Sequence, residues 1–409
     1  MNTFEDLYKR IVTSSSTKNT DDVLNNLNYD PYHLECVLNP KLKPEQWKTY
    51  HSKCNIHGND FSSCLFNHIK RDETGHYIPF FTEGICSQCL DAGYIKKMIS
   101  SPDVMKVMNA IHDAKHPVYA LIAPAFLSQF DVITDGQLRS AFKQIGFNGV
   151  VEVSLFADIL TLKEALEFDI KIVDESDYIL TSCCCPMWIQ MIRHLKPGLM
   201  SHVPKSVSPM IATGRVIKKI VPDAITVFIG PCLAKKAEAR EEDINDAIDV
   251  VLTFQETKDI FETARIDPAD LVTDVREHSS SAGRIYAVSS GVSQAVETTL
   301  ERIRPEKEIK VKSVNASGVP ECKDLLKNLE NGLLKANFIE GMGCRGGCVG
   351  GPKSLIDKDI AKVKVQDYAQ KSLYKTPIDN PYVIEMLHRL NITSIEQLLD
   401  DQEIFTRHF

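Results

Sequence analysis

From residue 117 onward the chain alternates short β-branched runs with amphipathic stretches, and that alternation restricts it to an α/β fold: parallel sheets with helices packed on them. The pattern predicts strands over 118–123, 149–153, 178–181, 224–229, 285–289 and 309–314. Helices are predicted over 135–145, 155–168, 187–195, 233–242, 255–264 and 292–302. Folds of this kind place their sites in the loops that follow the strands. A length of 409 residues leaves room for two or three domains. Four segments are expected: a polar lead-in over 1–29, a small irregular Cys-containing domain over 30–100, the main α/β domain over 101–362, and a C-terminal helical extension packed on the core over 363–409.

The chain holds 12 cysteines. Its start, Met1-Asn2-Thr3-Phe4-Glu5-Asp6, lacks a positive region followed by an apolar run, so no secretory signal is read. No stretch approaches the roughly eighteen apolar residues that span a bilayer. A cytoplasmic location and reduced thiols, several of them metal ligands, are therefore expected in place of a disulfide framework. A net charge of -8 argues against nucleic acid or an anionic membrane as partner. Lys307, Lys310 and Lys312 are interleaved with Glu306 and Glu308 and read as a solvated face.

A single cysteine is most often an inert buried hydrophobe, but the placement of these thiols is different. Cys183, Cys184 and Cys185 follow a predicted strand and precede Pro186, a residue suited to the first position of a helix. Cys232 follows the strand over 224–229 within Gly230-Pro231-Cys232, and Cys344 and Cys348 sit in a Gly-rich loop after 338–340. Thiols in several strand-to-helix loops suggest a soft metal centre, and helix N-termini aimed at one point favour an anionic cluster. The Gly-rich segment over 341–351 lacks the GK[ST] that a phosphate loop requires.

In these three loops the chain resembles the FeFe (iron-only) hydrogenase family. The family's TSCCPxW corresponds to TSCCCPMW at 181–188, its MPCxxKxxE to GPCLAKKAE at 230–238, and its ExMxCxxGCxxGGGQ to EGMGCRGGCVGGP at 340–352. The resemblance covers roughly 117–358 and implies a two-lobed, hydrogenase-type H-cluster catalytic domain. It further implies that Cys185, Cys232, Cys344 and Cys348 hold a 4Fe-4S cubane, with Cys348 bridging to a two-iron subsite that carries CO and cyanide. Lys235 matches the lysine that hydrogen-bonds a cyanide, and Ala123, Pro124, Pro231 and Met342 are expected to line the same cofactor. Cys184 matches the thiol that passes a proton to and from the two-iron site. Glu164 lies at the family's relay-glutamate spacing before it, and Glu167, three residues on, shares its helix face.

The departures carry information too. Pro204 stands where the typical enzyme has a relay serine, leaving water, Ser201 or Ser206 to bridge that step. Gly230 replaces a methionine, the third loop ends Gly350-Gly351-Pro352-Lys353, and Cys183 has no counterpart. These features place the chain near the divergent, sensory-type branches of the family.

Before the main domain, Cys54, Cys64, Cys86 and Cys89 are expected to hold one further 4Fe-4S cluster that feeds electrons to the cubane. A zinc site on the same residues with His57 or His68, or a degenerate domain without metal, are the alternatives. Cys36 and Cys322 fit no ligand pattern and read as structural. The leading functional expectation is interconversion of H2 with protons and electrons, served by a ferredoxin-like or other redox partner and by hydrogenase maturation enzymes. An H2 sensor using the same site is the second reading. An iron-sulfur assembly protein is the third.

Overall fold

The structure, a computed structural model, describes residues 103–408 apart from Met105, His112 and residues 131–133, 182–183 and 275–277. It also describes two short antiparallel strands, β1 (Ile69–Arg71) and β2 (Tyr77–Pro79). The expected ligands Cys54, Cys64, Cys86 and Cys89, together with Cys36, His57, His68 and Cys183, lie outside the described residues.

Two parallel sheets form the frame. The first has the order β4-β3-β6-β7, built from β3 (Val118–Ile122), β4 (Gly149–Glu152), β6 (Ile225–Gly230) and β7 (Val250–Thr253). Its register sets Ala120 beside both Val150 and Val227, and Phe228 beside Val251. The second has the order β5-β9-β8, from β5 (Ile179–Leu180), β8 (Ser313–Ser317) and β9 (Phe338–Met342), with Ile339 between Leu180 and Val314. All strand pairs in both sheets run parallel, and β7 and β9 are buried along their whole length, as expected where helices cover both faces.

Helices α1 (Asp135–Ile145), α2 (Ser154–Lys171), α3 (Pro186–Leu195), α4 (Pro209–Ile220), α5 (Ala234–Glu238) and α6 (Phe254–Ala264) follow in chain order. They are succeeded by α7 (Ser281–Arg284), α8 (Gly291–Ile303), α9 (Val319–Glu330), α10 (Lys358–Gln370), α11 (Pro381–Arg389) and α12 (Gln397–Asp400). Local chemistry sets their starts: Thr134 and Gln137 form a capping box at α1, Thr253 and Glu256 another at α6, and Pro186 opens α3.

The helix that joins the two halves is α2. Leu155, Phe156, Ile159 and Leu162 pack into the core of the first sheet, while Ala165 and Phe168 pack with Ile179 and Phe338 of the second. The Phe168 and Phe338 rings lie 6.3 Å apart. Because α2 is enclosed on every side, its polar residues are buried as well, and they must find partners. Asp158 accepts from Ser280 N at 2.6 Å, Gly283 N at 2.8 Å and Asn380 Nδ2 at 3.4 Å, which ties α2 to α7 and to the start of α11.

The prediction of an α/β fold holds, with local differences. Residues 285–289 do not form a strand: Ile285–Ala287 is a 3-10 turn after α7, because Ser289 N donates to Gly346 O and the segment serves as a wall for the loop after β9. The helix expected over 233–242 ends at Glu238, where tight turns succeed it. The apolar run of β7 was not anticipated, and β8 begins at Ser313, later than the apolar residues of its segment suggest.

Asp158→Ala should destabilise the fold by about 3 kcal/mol or more, since Ser280 N and Gly283 N would be buried without an acceptor. Denaturant unfolding checks this; a loss under about 1 kcal/mol would contradict the role assigned to Asp158.

Candidate metal centre

The carboxyl ends of β3, β5, β6 and β9 face one another across the seam between the sheets. The loop after β3 brings Ala123 and Pro124, that after β5 brings Cys184 and Cys185, that after β6 brings Pro231 and Cys232, and that after β9 brings Cys344 and Cys348. Except for Cys344, these residues line one largely apolar cavity of about 60 Å3, together with Lys235, Met342, Phe228 and Tyr286. That volume holds a handful of water-sized groups, enough for a compact inorganic group and too small for an organic cofactor such as a dinucleotide. Cys344 lies behind the wall, within electrostatic reach of Cys232, Cys185 and Cys348.

Backbone shape permits this convergence. Gly347 sits at φ +91°, and a Cβ there would meet Ser289 N at 2.6 Å, so the turn between Cys344 and Cys348 closes only on glycine. Gly343 N donates to Cys185 Sγ at 3.4 Å, linking the loops after β5 and β9 at the sulfur itself. Beneath them, Cys322 is fully buried and its thiol donates to Met342 O at 3.3 Å, in accord with its structural reading.

The thiols repel as charges. Burial, then the neighbouring Cys185 sulfur, pushes Cys232 up to about 11 and Cys348 up to about 12. Cys344 is raised well above the ordinary thiol range by burial and by Cys232, Cys185 and Cys348 in turn. Without metal the group stays protonated at neutral pH, and thiolates can coexist there only by sharing a cation. Among the described residues no three His, Cys, Asp or Glu converge closely enough to chelate a single ion. A cubane needs no such convergence, because each thiolate binds a different iron. The donor set, soft sulfur on three loops around a small dry cavity, therefore fits an iron-sulfur cluster.

Lys235 is the cation of the cavity wall. Its Nζ lies 2.6 Å from Glu238 Oε2 in an ion pair without the alignment of a hydrogen bond. Burial alone would lower its pKa, but Glu238, Cys232 and Cys348 outweigh that and hold it raised, so the ammonium remains charged. Next to it Lys236, fully buried, pairs with Asp103 at 2.5 Å and donates to Val251 O at 2.6 Å, anchoring α5 from behind.

Cys184 opens onto the cavity, and behind it stands Glu164, 1% exposed on α2. Burial, the Cys185 sulfur and the carboxylates of Glu164 and Glu340 push the Cys184 thiol well above its usual range. Glu167, one helical turn further along α2, pairs with Lys171 at 3.3 Å and lines a surface pocket shared with Ser201. Of the two serines considered as substitutes near Pro204, Ser201 shares that pocket, while Ser206 is buried and its Oγ has no hydrogen-bond partner. Gly230 also acquires a physical explanation. A Cβ at this position would lie 2.8 Å from the Phe228 ring and 3.0 Å from Ala123 Cβ, so Phe228 occupies the space a larger residue would need.

Three site residues escaped the sequence reading. Tyr286 and Phe228 gave no signal, since a lone aromatic in a strand or turn reads as core. Glu340 stands in the third motif, and its carboxylate accepts from Ser290 N and Ser293 N at 2.8 Å, holding the start of α8 against the metal loop. Its match to the first position of the third motif, ahead of Gly341 and Met342, was the available clue.

Fold and site define a thiol-lined cleft between two parallel sheets, suited to a buried iron-sulfur group. The chain belongs to the iron-only hydrogenase family: the model for the iron only hydrogenase large subunit, C-terminal domain, matches residues 116–352. It is 26% identical over 319 residues to Iron hydrogenase 1 of Clostridium pasteurianum, a match covering 66% of this chain and 56% of that protein's length. It is also 24% identical over 327 residues to the nuclear prelamin A recognition factor of Homo sapiens, covering 65% of this chain and 72% of that protein. In fold it resembles a variant of the [FeFe]-hydrogenase HydA1 from Chlamydomonas reinhardtii, with a TM-score of 0.58 at 19% identity, covering 74% of this chain and 98% of that one. No helix among the described residues is long and apolar enough to cross a membrane.

The raised thiols carry a pH dependence with a definite sign. Their folded pKa values exceed the unfolded value of about 8.5, so the metal-free fold binds more protons than the unfolded chain between the two. Its stability should be fully present below about pH 8.5 and fall as pH rises toward 11. Thermal melts of metal-free protein at pH 7.5 and 10 check this, and Cys344→Ala should reduce the difference. An unchanged melting point at pH 10 would contradict it.

Proposed function

We propose that this chain is a redox protein of hydrogenase type, interconverting H2 with protons and electrons at a cluster held by Cys185, Cys232, Cys344 and Cys348. The observation that carries the reading is the meeting of Cys185, Cys232, Cys348, Cys184 and the Lys235 ammonium around one small apolar cavity, with Cys344 behind its wall within electrostatic reach of three of those thiols. When bound, the cubane and its two-iron subsite with CO and cyanide supply the electron store and the place where H2 is split.

The protein's own part is to move protons, place charge and exclude water. Cys184 Sγ takes or gives the proton at the cavity, and its raised pKa keeps the thiol protonated and able to donate at neutral pH. Glu164 is the next carrier, and Glu167 hands the proton to the pocket that opens to solvent. Lys235, on the cavity wall, would offer N–H groups to anionic ligands of the subsite, and Glu238 balances its charge. Phe228, Met210, Ala287 and Met342 keep the cavity apolar, which strengthens every charge interaction inside it.

Turnover is slow in this reading, because Pro204 interrupts the serine step and the proton must leave Glu164 through water. Sensing of H2 by the same cluster is the second reading, and the interrupted route favours it. Electron delivery in either case rests with the cluster expected on Cys54, Cys64, Cys86 and Cys89 and with a ferredoxin-like or other redox partner. Maturation enzymes must install the two-iron subsite.

Infrared spectra of protein matured with the subsite, read beside H2 oxidation and evolution rates, test this. CO and cyanide bands with measurable turnover are expected, and Cys184→Ala should keep the bands while turnover falls at least a hundredfold. Absent bands would overturn both readings; bands with no turnover would leave the sensor. Separately, Gly230→Met should distort the cavity by displacing Phe228, shifting the CO bands and lowering the melting temperature by several degrees. Unshifted bands and an unchanged melting temperature would contradict the packing argument.

A further inference from the structure

Glu167 opens on a surface pocket of about 680 Å3, the size range of small-ligand sites, roughly 300–1,000 Å3. Its wall is unusually cationic. Lys163, Lys171 and Lys205 contribute ammonium groups, against the single carboxylate of Glu167, which Lys171 already pairs at 3.3 Å. Ser201, Thr406 and His408 add polar side chains to the same wall.

Lys163 is the informative one, because it is 2% exposed. Its Nζ donates to Thr406 Oγ1 at 2.6 Å and to Phe405 O at 3.4 Å, both uncharged acceptors. No carboxylate lies within 4.0 Å of it among the described residues. The nearby acid, Asp401, is committed elsewhere, accepting from Phe405 N at 2.6 Å and Ile404 N at 3.3 Å. An ammonium has three donors, so Lys163 has one to spare. A buried cation among neutral partners is unfavourable unless an anion reaches it, and here a solvent-open pocket leads to it. Burial correspondingly lowers its pKa, with Glu167 and Asp401 only partly compensating.

We infer that this pocket binds a phosphate-bearing small molecule, with Lys163 and Lys205 contacting the phosphate oxygens and Thr406 and Ser201 completing the polar wall. Lysine ammonium groups serve phosphate as compact point charges, and the Ser201 hydroxyl, which reaches Gly198 O only at 3.4 Å, can turn to donate a further hydrogen bond; Thr406 Oγ1, accepting from Lys163 and donating to Asp401 O, serves to orient Lys163. The binding does not rest on the hydrogenase reading. Its consequence does: the occupant would sit beside Glu167, at the outer end of the proton route.

Isothermal titration of the full chain with inorganic phosphate and with pyrophosphate, at constant ionic strength, tests the site without any cluster. Saturable one-to-one binding is expected, weakening with added salt, with Lys163→Met and Lys205→Gln each lowering affinity at least tenfold. Lys205 is exposed, so its variant keeps the fold even if Lys163→Met does not. No saturable binding of either probe, or equal affinity in Lys205→Gln, would overturn the proposal. Loss of H2 turnover in a protein that still binds phosphate would count against the hydrogenase reading alone.

Discussion

Five thiols brought into one dry cleft repel one another as soon as they ionise, and the rest of the molecule is arranged to impose that proximity. Parallel sheets make it possible. Each strand ends on the same side, so the loops after β3, β5, β6 and β9 arrive at one seam without any strand reversing direction. The cost is borne by protonation in the metal-free fold, as the upward displacement of Cys232, Cys344 and Cys348 records. A metal sharing the sulfur charge would turn the same proximity into binding energy and link folding to metal loading through protons.

Helix α2 meets two demands at once. It is apolar enough to join two cores, yet it carries polar side chains from the cavity to the surface pocket. Asp158 resolves the conflict by capping buried backbone donors, and Lys163 by bonding to the C-terminal segment at Thr406. Glu164 and Glu167 are left at opposite ends of one turn, the first behind Cys184 and the second at the surface pocket. A helix enclosed on all sides seldom carries six buried polar residues, here Ser154, Asp158, Thr161, Lys163, Glu164 and Glu167, without a functional reason for some of them.

Much of this was legible in the sequence because the signals are local. Alternating strand and helix patterns predict parallel sheets, and Pro186 predicts a helix start, which α3 bears out. What failed depended on tertiary context. Residues 285–289 carry the β-branched content of a strand, but the loop after β9 claims their backbone through Ser289 and Gly346. Tyr286 and Phe228 enter the cavity from elements that periodicity assigns to the core. Lys163 was invisible for the opposite reason: on sequence alone it is one more helix lysine, and only enclosure by the segment over 401–408 makes it a buried cation.

Gly230 shows how a departure from a family pattern can be read physically. A missing methionine suggests an emptier cavity, yet the Phe228 ring fills the space from the same strand, two residues earlier and on the same face of the sheet. Apolar volume near the metal loops is thus retained while its shape and flexibility change, from an unbranched thioether to a rigid ring. A stiff wall beside a small cavity restricts how far any bound group can shift between redox states. The shape of that wall is set by packing at one strand end, where Phe228 and Ala123 close on Gly230, and does not depend on the polar residues of α2.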